Sequence, residues 1–490
     1  MDTFFNFNEG DTNNWHQLLV DNSYPVLDNF IIPNQFLVSF QKGSDSSFDK
    51  HHQEWFKDVW AGKQVTAFFK LNKKKGKKIN KIKFKLINIC KCCNLQLAII
   101  SADLDILRFL EDNADISPGN DNDPRGSSFQ IVCNNSYTFS SGIDSKSSIK
   151  TQNIDLKDIL SQYGNLSNEP KAVKVAVIDT GFKYENLAEQ GIEVNIWQNK
   201  HTTNSCNMSV DIVGWNFIDD NNNPSDDNPS EHGTIISAII SKTANILGVE
   251  YLPEIMVLKA FNSNGVGTLY TIICALCYSK AHSANIINAS FVCPTSGLGI
   301  EYLKRVIRDL GNIILICAAG NRRSITDNVG LGLGLLSTTP LYPACFSAEL
   351  NNVITVTSLW EMGVENYSPT EPIVNICVYS NEKGYFNAPY LWFRNEIDAI
   401  REGRRERPIG VVQSDIDGGG INRIVGSSYA TAFVTGFIVY TLQNADGVMS
   451  LDSGNLRESI FTYLKNEGKL IENGRMVYWV QRGNQISPPF

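Results

Sequence analysis

No apolar run in the 490 residues reaches the length of about 18 that a membrane-crossing helix needs, so no membrane span is expected. The first 15 residues carry acids and asparagines but no basic stretch ahead of an apolar one, so no secretory leader is expected either. Positive charge is short. Forty-three Lys and Arg face 51 Asp and Glu, and the net charge of −8 argues against nucleic acid as the main partner. A disulfide framework is also lacking: the 11 cysteines are odd in number and scattered, several of them (Cys274, Cys277, Cys317, Cys377) inside apolar runs. That pattern fits free thiols in a reducing, cytoplasmic compartment. Cys90, Cys92 and Cys93 cluster, but the second pair that a zinc site needs is not evident. No phosphate loop is present, because Gly330-Leu331-Gly332-Leu333-Gly334 follows no strand directly and reads as a flexible loop.

What the chain does have is 42% hydrophobic residues, enough for large cores, and a length that suggests roughly two to three domains. Residues 1–125 read as a separate, smaller α+β unit, with strand-like segments at 34–40, 84–89 and 95–101 and a short amphipathic helix at 103–112. The basic run at 73–78 reads as a solvated hairpin tip. Residues 113–150 turn to Asn, Asp, Ser and Gly, and the linker is placed at 126–150. From 151 to 490 the pattern changes again. Short strands buried on both faces, at 173–178, 255–258, 286–287, 313–318 and 353–356, alternate with helix-length apolar segments. This is the signature of an α/β domain with a mainly parallel, doubly wound sheet flanked by helices. Residues 380–425 read as a surface insertion, and the tail offers a helix at 455–464 and a strand at 475–480.

Four segments of that domain carry chemistry. Asp179 closes the first buried strand, where sites form in such sheets. His232, in Glu231-His232-Gly233-Thr234, opens an apolar helix; the other five histidines (His16, His51, His52, His201, His282) read as bystanders. Asn321 follows the buried strand that ends at Ala318-Ala319-Gly320. Ser427 and Ser428 begin the last buried helix, and alone either would read as an N-cap. Together the four make a different case. A serine hydroxyl needs a base. Histidine takes and returns a proton near neutral pH, and an aspartate fixes its tautomer. An amide donor stabilises the tetrahedral oxyanion.

In that order the motifs resemble the subtilases, the subtilisin-like serine peptidases: Asp179-Thr180-Gly181, His232-Gly233-Thr234, Ala319-Gly320-Asn321 and Gly426-Ser427-Ser428-x-Ala430. Further similarity lies at 211–217, 285–290, 342–344 and 352–356, so the resemblance covers roughly residues 150–465. It implies a subtilisin-like fold and an endopeptidase, intracellular on the cysteine pattern above, acting on protein or peptide substrates through Asp179, His232 and Ser428. Asn321 would be the oxyanion donor, and no cofactor is required. It assigns Ser427 to the family's threonine position and Ser428 to the nucleophile, while Ala432 replaces the family's proline. The resemblance also implies that Ser290, Phe291 and Val292 form one wall of the substrate cleft, and Ala318, Ala319 and Gly320 the other. Val292 stands where relatives carry glycine, which narrows the pocket for the side chain before the scissile bond. Asp219, Asp220, Asp226 and Asp227 read first as a solvated loop, with a calcium ion, as in loops of many subtilases, the second reading. Residues 1–125 resemble a subtilase propeptide in outline, with a permanent recognition domain as the other reading. A pseudopeptidase that binds peptides without cutting them is the alternative function.

Overall fold

The computed structural model describes residues 31–40, 65–67, 82–90, 92–93, 96–101, 129–139, 163–185, 187, 191–199, 211–292, 298–320, 340–360, 363–364, 373–379, 386–387, 423–424, 426–444, 456–466, 470–471 and 476–477. The expected helix at 103–112, the basic run at 73–78, the glycine-rich stretch at 330–334 and nearly all of 380–425 lie outside them.

The N-terminal region forms an antiparallel sheet of β1 (Ile31–Phe40), β2 (Val65–Ala67), β3 (Ile82–Ile89), β4 (Gln96–Ser101) and β5 (Phe129–Phe139), in the order β5-β1-β4-β3-β2. β5 falls inside the stretch whose composition reads as a linker.

The second region is built on one large sheet. In chain order its elements are β6 (Leu166–Ser167), β7 (Lys174–Asp179), β8 (Asn195–Trp197), β9 (Gly214–Asn216), α1 (His232–Leu247), β10 (Glu254–Lys259), β11 (Val266–Thr268), α2 (Leu269–Ala281), β12 (Ile286–Ala289), β13 (Phe291–Val292), α3 (Leu298–Arg308), β14 (Ile314–Ala318), β15 (Val353–Trp360), β16 (Gly363–Val364), β17 (Ile376–Tyr379), β18 (Phe386–Asn387), β19 (Arg423–Ile424), α4 (Ser427–Asn444), α5 (Leu456–Asn466), β20 (Leu470–Ile471) and β21 (Met476–Val477). The sheet runs β20-β21-β17-β15-β14-β12-β7-β10-β8-β6, parallel from β21 to β6. It is the α/β parallel sheet that the alternation of buried strands and helices predicts.

Two-sided burial explains the near-continuous apolar strands. In β7, Ala176 and Ile178 pack on one face with α2 and α3, while Val175 and Val177 pack on the other with α1, α4 and α5. After β7 the chain builds β8 and β10 on one side of it and then crosses to β12 on the other. In parallel sheets such a reversal is where sites form, at the carboxyl ends of the strands.

Helix α4 lies close against α1. A Cβ added at Gly436 would stand 2.6 Å from the Thr243 Cβ and 2.9 Å from the Ile240 carbonyl oxygen. Gly436→Ala is therefore expected to lower stability by about 1–3 kcal/mol, the usual cost of overfilling a packed core. Thermal unfolding of the variant beside wild type checks this, and an unchanged midpoint would show that the two helices separate freely.

Candidate active site

Asp179, the last residue of β7, pairs with Lys259, the last of β10. Its carboxylate accepts the Thr180 amide at 2.8 Å and lies 2.8 Å from His232 Nδ1, with both side chains buried. His232 is held by the start of α1. Glu231, just before the helix, has a left-handed backbone (φ 49°) and gives no side-chain cap. The first-turn donors are met from the sheet side instead: Gly233 N–H donates to Thr180 Oγ1 at 2.9 Å, and Thr234 N–H to Asp226 at 3.1 Å. Gly233 is required by closeness, since a Cβ there would meet the Gly181 carbonyl oxygen at 2.4 Å.

Ser428 occupies the first turn of α4, buried, with its hydroxyl donating to the Ser290 carbonyl at 2.9 Å. The Ser290 hydroxyl donates in return to the Ser428 carbonyl at 3.0 Å. Asn288 Nδ2 donates to Ser290 Oγ at 2.9 Å, and Thr435 Oγ1 to Asn288 Oδ1 at 2.9 Å, so the helix is pinned to the end of β12. Tyr429, next to Ser428, places its ring 5.5 Å from the imidazole of His232. Burial, helped by the Asp179 charge, pushes its phenol up, so it stays neutral beside the pair. Ser427 donates to the Gly320 carbonyl at 2.8 Å, tying α4 to the loop after β14. Asp179, His232, Ser428, Ser290 and Gly320 thus meet at one end of the sheet. Asn321, the expected oxyanion donor, lies outside the described residues.

Three neighbours have contacts that sequence reasoning did not place at the site. Lys259 is buried, and its Nζ donates to the Thr180 carbonyl at 2.6 Å and to Asp227 at 2.5 Å. A lysine closing the apolar run Ile255 to Leu258 was the available signal. Asp226 is buried and accepts from the Thr234 hydroxyl at 2.8 Å; burial pushes its carboxyl up against the pull of Lys259. Tyr429 is the third.

The four aspartates weighed for calcium are each engaged within the protein. Asp219 and Asp220 accept from Asn216 and Trp215, Asp226 and Asp227 are engaged as above, and no three metal-ligating side chains gather among the described residues. Seven described cysteines are free, whereas Cys92 is in a disulfide, which corrects the reading of uniformly free thiols.

One of the two segments expected to wall the cleft is strand-paired. β13 pairs antiparallel with β5, Phe291 opposite Phe139 and Val292 opposite Thr138. β11 pairs with the other edge of the same segment, Val266 opposite Thr138 and Thr268 opposite Ser136. Residues 136–139 of the N-terminal region therefore form the middle strand between two strands of the sheet domain. Val292 is buried there. Ala318 and Ala319 are buried at the end of β14, and Gly320 follows them.

Comparison with known proteins places this arrangement. A profile of the subtilase family matches residues 170–474. Subtilisin-like protease 1 of Plasmodium falciparum (isolate 3D7) is 30% identical over 215 residues, 41% of this chain and 30% of that protein. The intracellular serine protease of Paenibacillus polymyxa is 24% identical over 304 residues, 60% of this chain and 79% of that protein. The crystal structure of fervidolysin from Fervidobacterium pennivorans, a keratinolytic enzyme related to subtilisin, is 13% identical with a TM-score of 0.49, covering 92% of this chain and 60% of that one. The chain spans about a third of the length of the first curated relatives it matches.

Proposed function

Since the chain belongs to the subtilase family, we propose that it is a serine endopeptidase. In this reading Ser428 is the nucleophile, His232 its general base and Asp179 the residue that orients the imidazole. The observation that carries it is the buried 2.8 Å contact of Asp179 with His232 Nδ1, beside a serine held at the start of a buried helix. With Nδ1 engaged, Nε2 is left to exchange the serine proton. A turn of the Ser428 hydroxyl hydrogen away from the Ser290 carbonyl redirects it to the base. The helix N-terminus and Asn321 then favour the negative charge that develops on the attacked carbonyl oxygen. Labelling by a serine-directed fluorophosphonate tests the assignment: label on Ser428 is expected, and an unlabelled folded protein would overturn it.

We read residues 1–125 with β5 as a propeptide-like unit whose strand occupies the substrate cleft by strand addition. The support is the pairing of residues 136–139 with β11 and β13. One residue beyond the Phe139–Phe291 pair, the sequences reach Ser140 and Ser290, and the Ser290 carbonyl is the one that accepts from Ser428. The bond offered for self-cleavage is accordingly Ser140–Ser141. A serine before the cut also suits a pocket narrowed by Val292, whose β-branched side chain has little freedom to move aside. Mass spectrometry of purified wild type should find a new N-terminus at Ser141, and Ser428→Ala should remain whole. A cut elsewhere in the chain, or fully active uncut protein, would overturn the register.

Peptide-library profiling should show Ala, Ser or Gly before the cut, with bulky residues disfavoured by roughly 10- to 100-fold in kcat/KM. A preference for Phe, Leu or Arg would refute the narrowing. We place the protein inside the cell, on its free cysteines and on the relative from Paenibacillus polymyxa named as an intracellular serine protease. Cell fractionation tests this.

A further inference from the structure

The N-terminal sheet and the sheet domain meet through four thiols. Cys90 and Cys93 lie in the turn between β3 and β4, and Cys274 and Cys277 stand one turn apart on α2, so both pairs have Cys-x-x-Cys spacing. The Cys90 thiol contacts that of Cys274, and Cys93 contacts Cys277. Cys90 and Cys274 are buried in the same apolar core, while Cys93 and Cys277 are half-buried at its rim. The sulfurs of Cys93 and Cys90 are 3.1 Å apart, with Cys93 donating. All four are free. The proposed mechanism uses none of them. As they stand, no three gather around a common point as metal ligands would.

We propose that this quartet is a thiol–disulfide exchange site, and that a small-molecule disulfide such as glutathione disulfide oxidises Cys93 and Cys277 to a cross-link between the N-terminal sheet and α2. The pair at the rim is the one an oxidant reaches. The Cys93 sulfur attacks the oxidant, its proton passing to the small thiolate that leaves. A mixed disulfide forms and one small thiolate leaves. Cys277 then attacks the Cys93 sulfur of that mixed disulfide and expels the second. Two protein thiols are oxidised, one small disulfide is reduced to two thiols, and the two protons end on those thiols. Cys90 is the hydrogen-bond acceptor beside Cys93. Burial pushes its thiol up, but hydrogen bonds from the Cys274 and Cys93 thiols and from the backbone at Cys93 and Cys92 outweigh this and hold it well below the usual range. Cys93, facing the Cys277 and Cys90 sulfurs, is pushed well above it.

The consequence rests on the reading of β5 as an occupant of the cleft. β5 belongs to the same small sheet as the Cys90–Cys93 turn. Once the chain is cut after β5, only contacts between the regions hold that strand in place. A covalent link at Cys93 makes rebinding intramolecular, which raises occupancy by about 10²–10⁴ without any new contact. The oxidised enzyme stays closed, and reduction lets the N-terminal unit leave.

The test uses the full chain in two forms. Uncut Ser428→Ala protein is treated with glutathione disulfide, blocked with an alkylating agent and mapped by non-reducing peptide mass spectrometry. A Cys93–Cys277 linked peptide is expected, absent in a Cys277→Ser background. Links confined to Cys90–Cys93, four freely alkylated thiols, or one equivalent of zinc protecting all four would each overturn the proposal. Wild type is then assayed on a peptide substrate. The oxidised form should be about 10²-fold slower and recover with dithiothreitol, whereas Cys277→Ser should not respond. A cross-link with no change in rate upholds the exchange site and overturns instead the reading of β5 as the cleft's occupant.

Discussion

Ser428→Ala is expected to remove peptide hydrolysis almost completely, while Ser427→Ala keeps a measurable rate. The two serines sit side by side, and composition gives no reason to separate them. Their contacts do. Ser427 donates to the Gly320 carbonyl at 2.8 Å, so its hydroxyl is used in fastening α4 to the loop after β14. Ser428 faces the end of β12 at the Ser290 carbonyl, and its neighbour Tyr429 lies against the His232 ring. Removing the nucleophile of subtilisin costs about 2 × 10⁶ in kcat, and a loss of that order is expected at Ser428. Loss of one neutral hydrogen bond at Ser427 costs about 0.5–1.5 kcal/mol of stability and leaves the chemistry in place. Steady-state kinetics of both variants decide. Equal loss at the two positions would overturn the assignment, and an inactive wild type that still binds peptide would mark the protein as a binder without catalysis.

How much of this was legible follows from what each residue answers to. The strands β7, β10, β12, β14 and β15 announce themselves because both faces of the sheet are covered, so nearly every position is apolar. Asp179, His232 and Ser428 stand out in the sequence for a related reason: each stands where an apolar element begins or ends. β5 was not legible. Its run of Cys, Asn, Asn, Ser and Tyr has linker composition, and it becomes a strand through its partners β1, β11 and β13 and not through its own preference. The thiol quartet was hidden differently. Cys274 and Cys277 share a helix face with apolar neighbours and read as core, and Cys90 and Cys93 lie more than 150 residues away in sequence. Lys259 escaped because a buried lysine is expensive unless paired, and its partners, the Thr180 carbonyl and Asp227, are distant in sequence.

Asp179→Asn is expected to lower kcat by about 10⁴ with little change in KM, the size of loss seen when the equivalent triad aspartate is made an amide. Oδ1 of Asp179 takes both the Thr180 amide at 2.8 Å and His232 Nδ1 at 2.8 Å. A carboxylate only accepts, so Nδ1 must carry the hydrogen and Nε2 must be the free base. An amide keeps the shape but adds a donor. If its NH₂ turns to Nδ1, the imidazole shifts its hydrogen to Nε2, which can no longer take a proton from Ser428. The charge that steadies the imidazolium is lost as well, and in this buried setting water does not replace it. Because the fold around β7 is unaltered in shape, the variant should unfold near the wild-type temperature, and circular dichroism separates the two explanations for a loss of rate. A folded variant within about tenfold of wild type would show that Asp179 does not orient the base. Raising the pH offers a further check, since hydroxide can remove the proton that His232 no longer takes, and the deficit of Asp179→Asn should shrink at alkaline pH while that of Ser428→Ala does not.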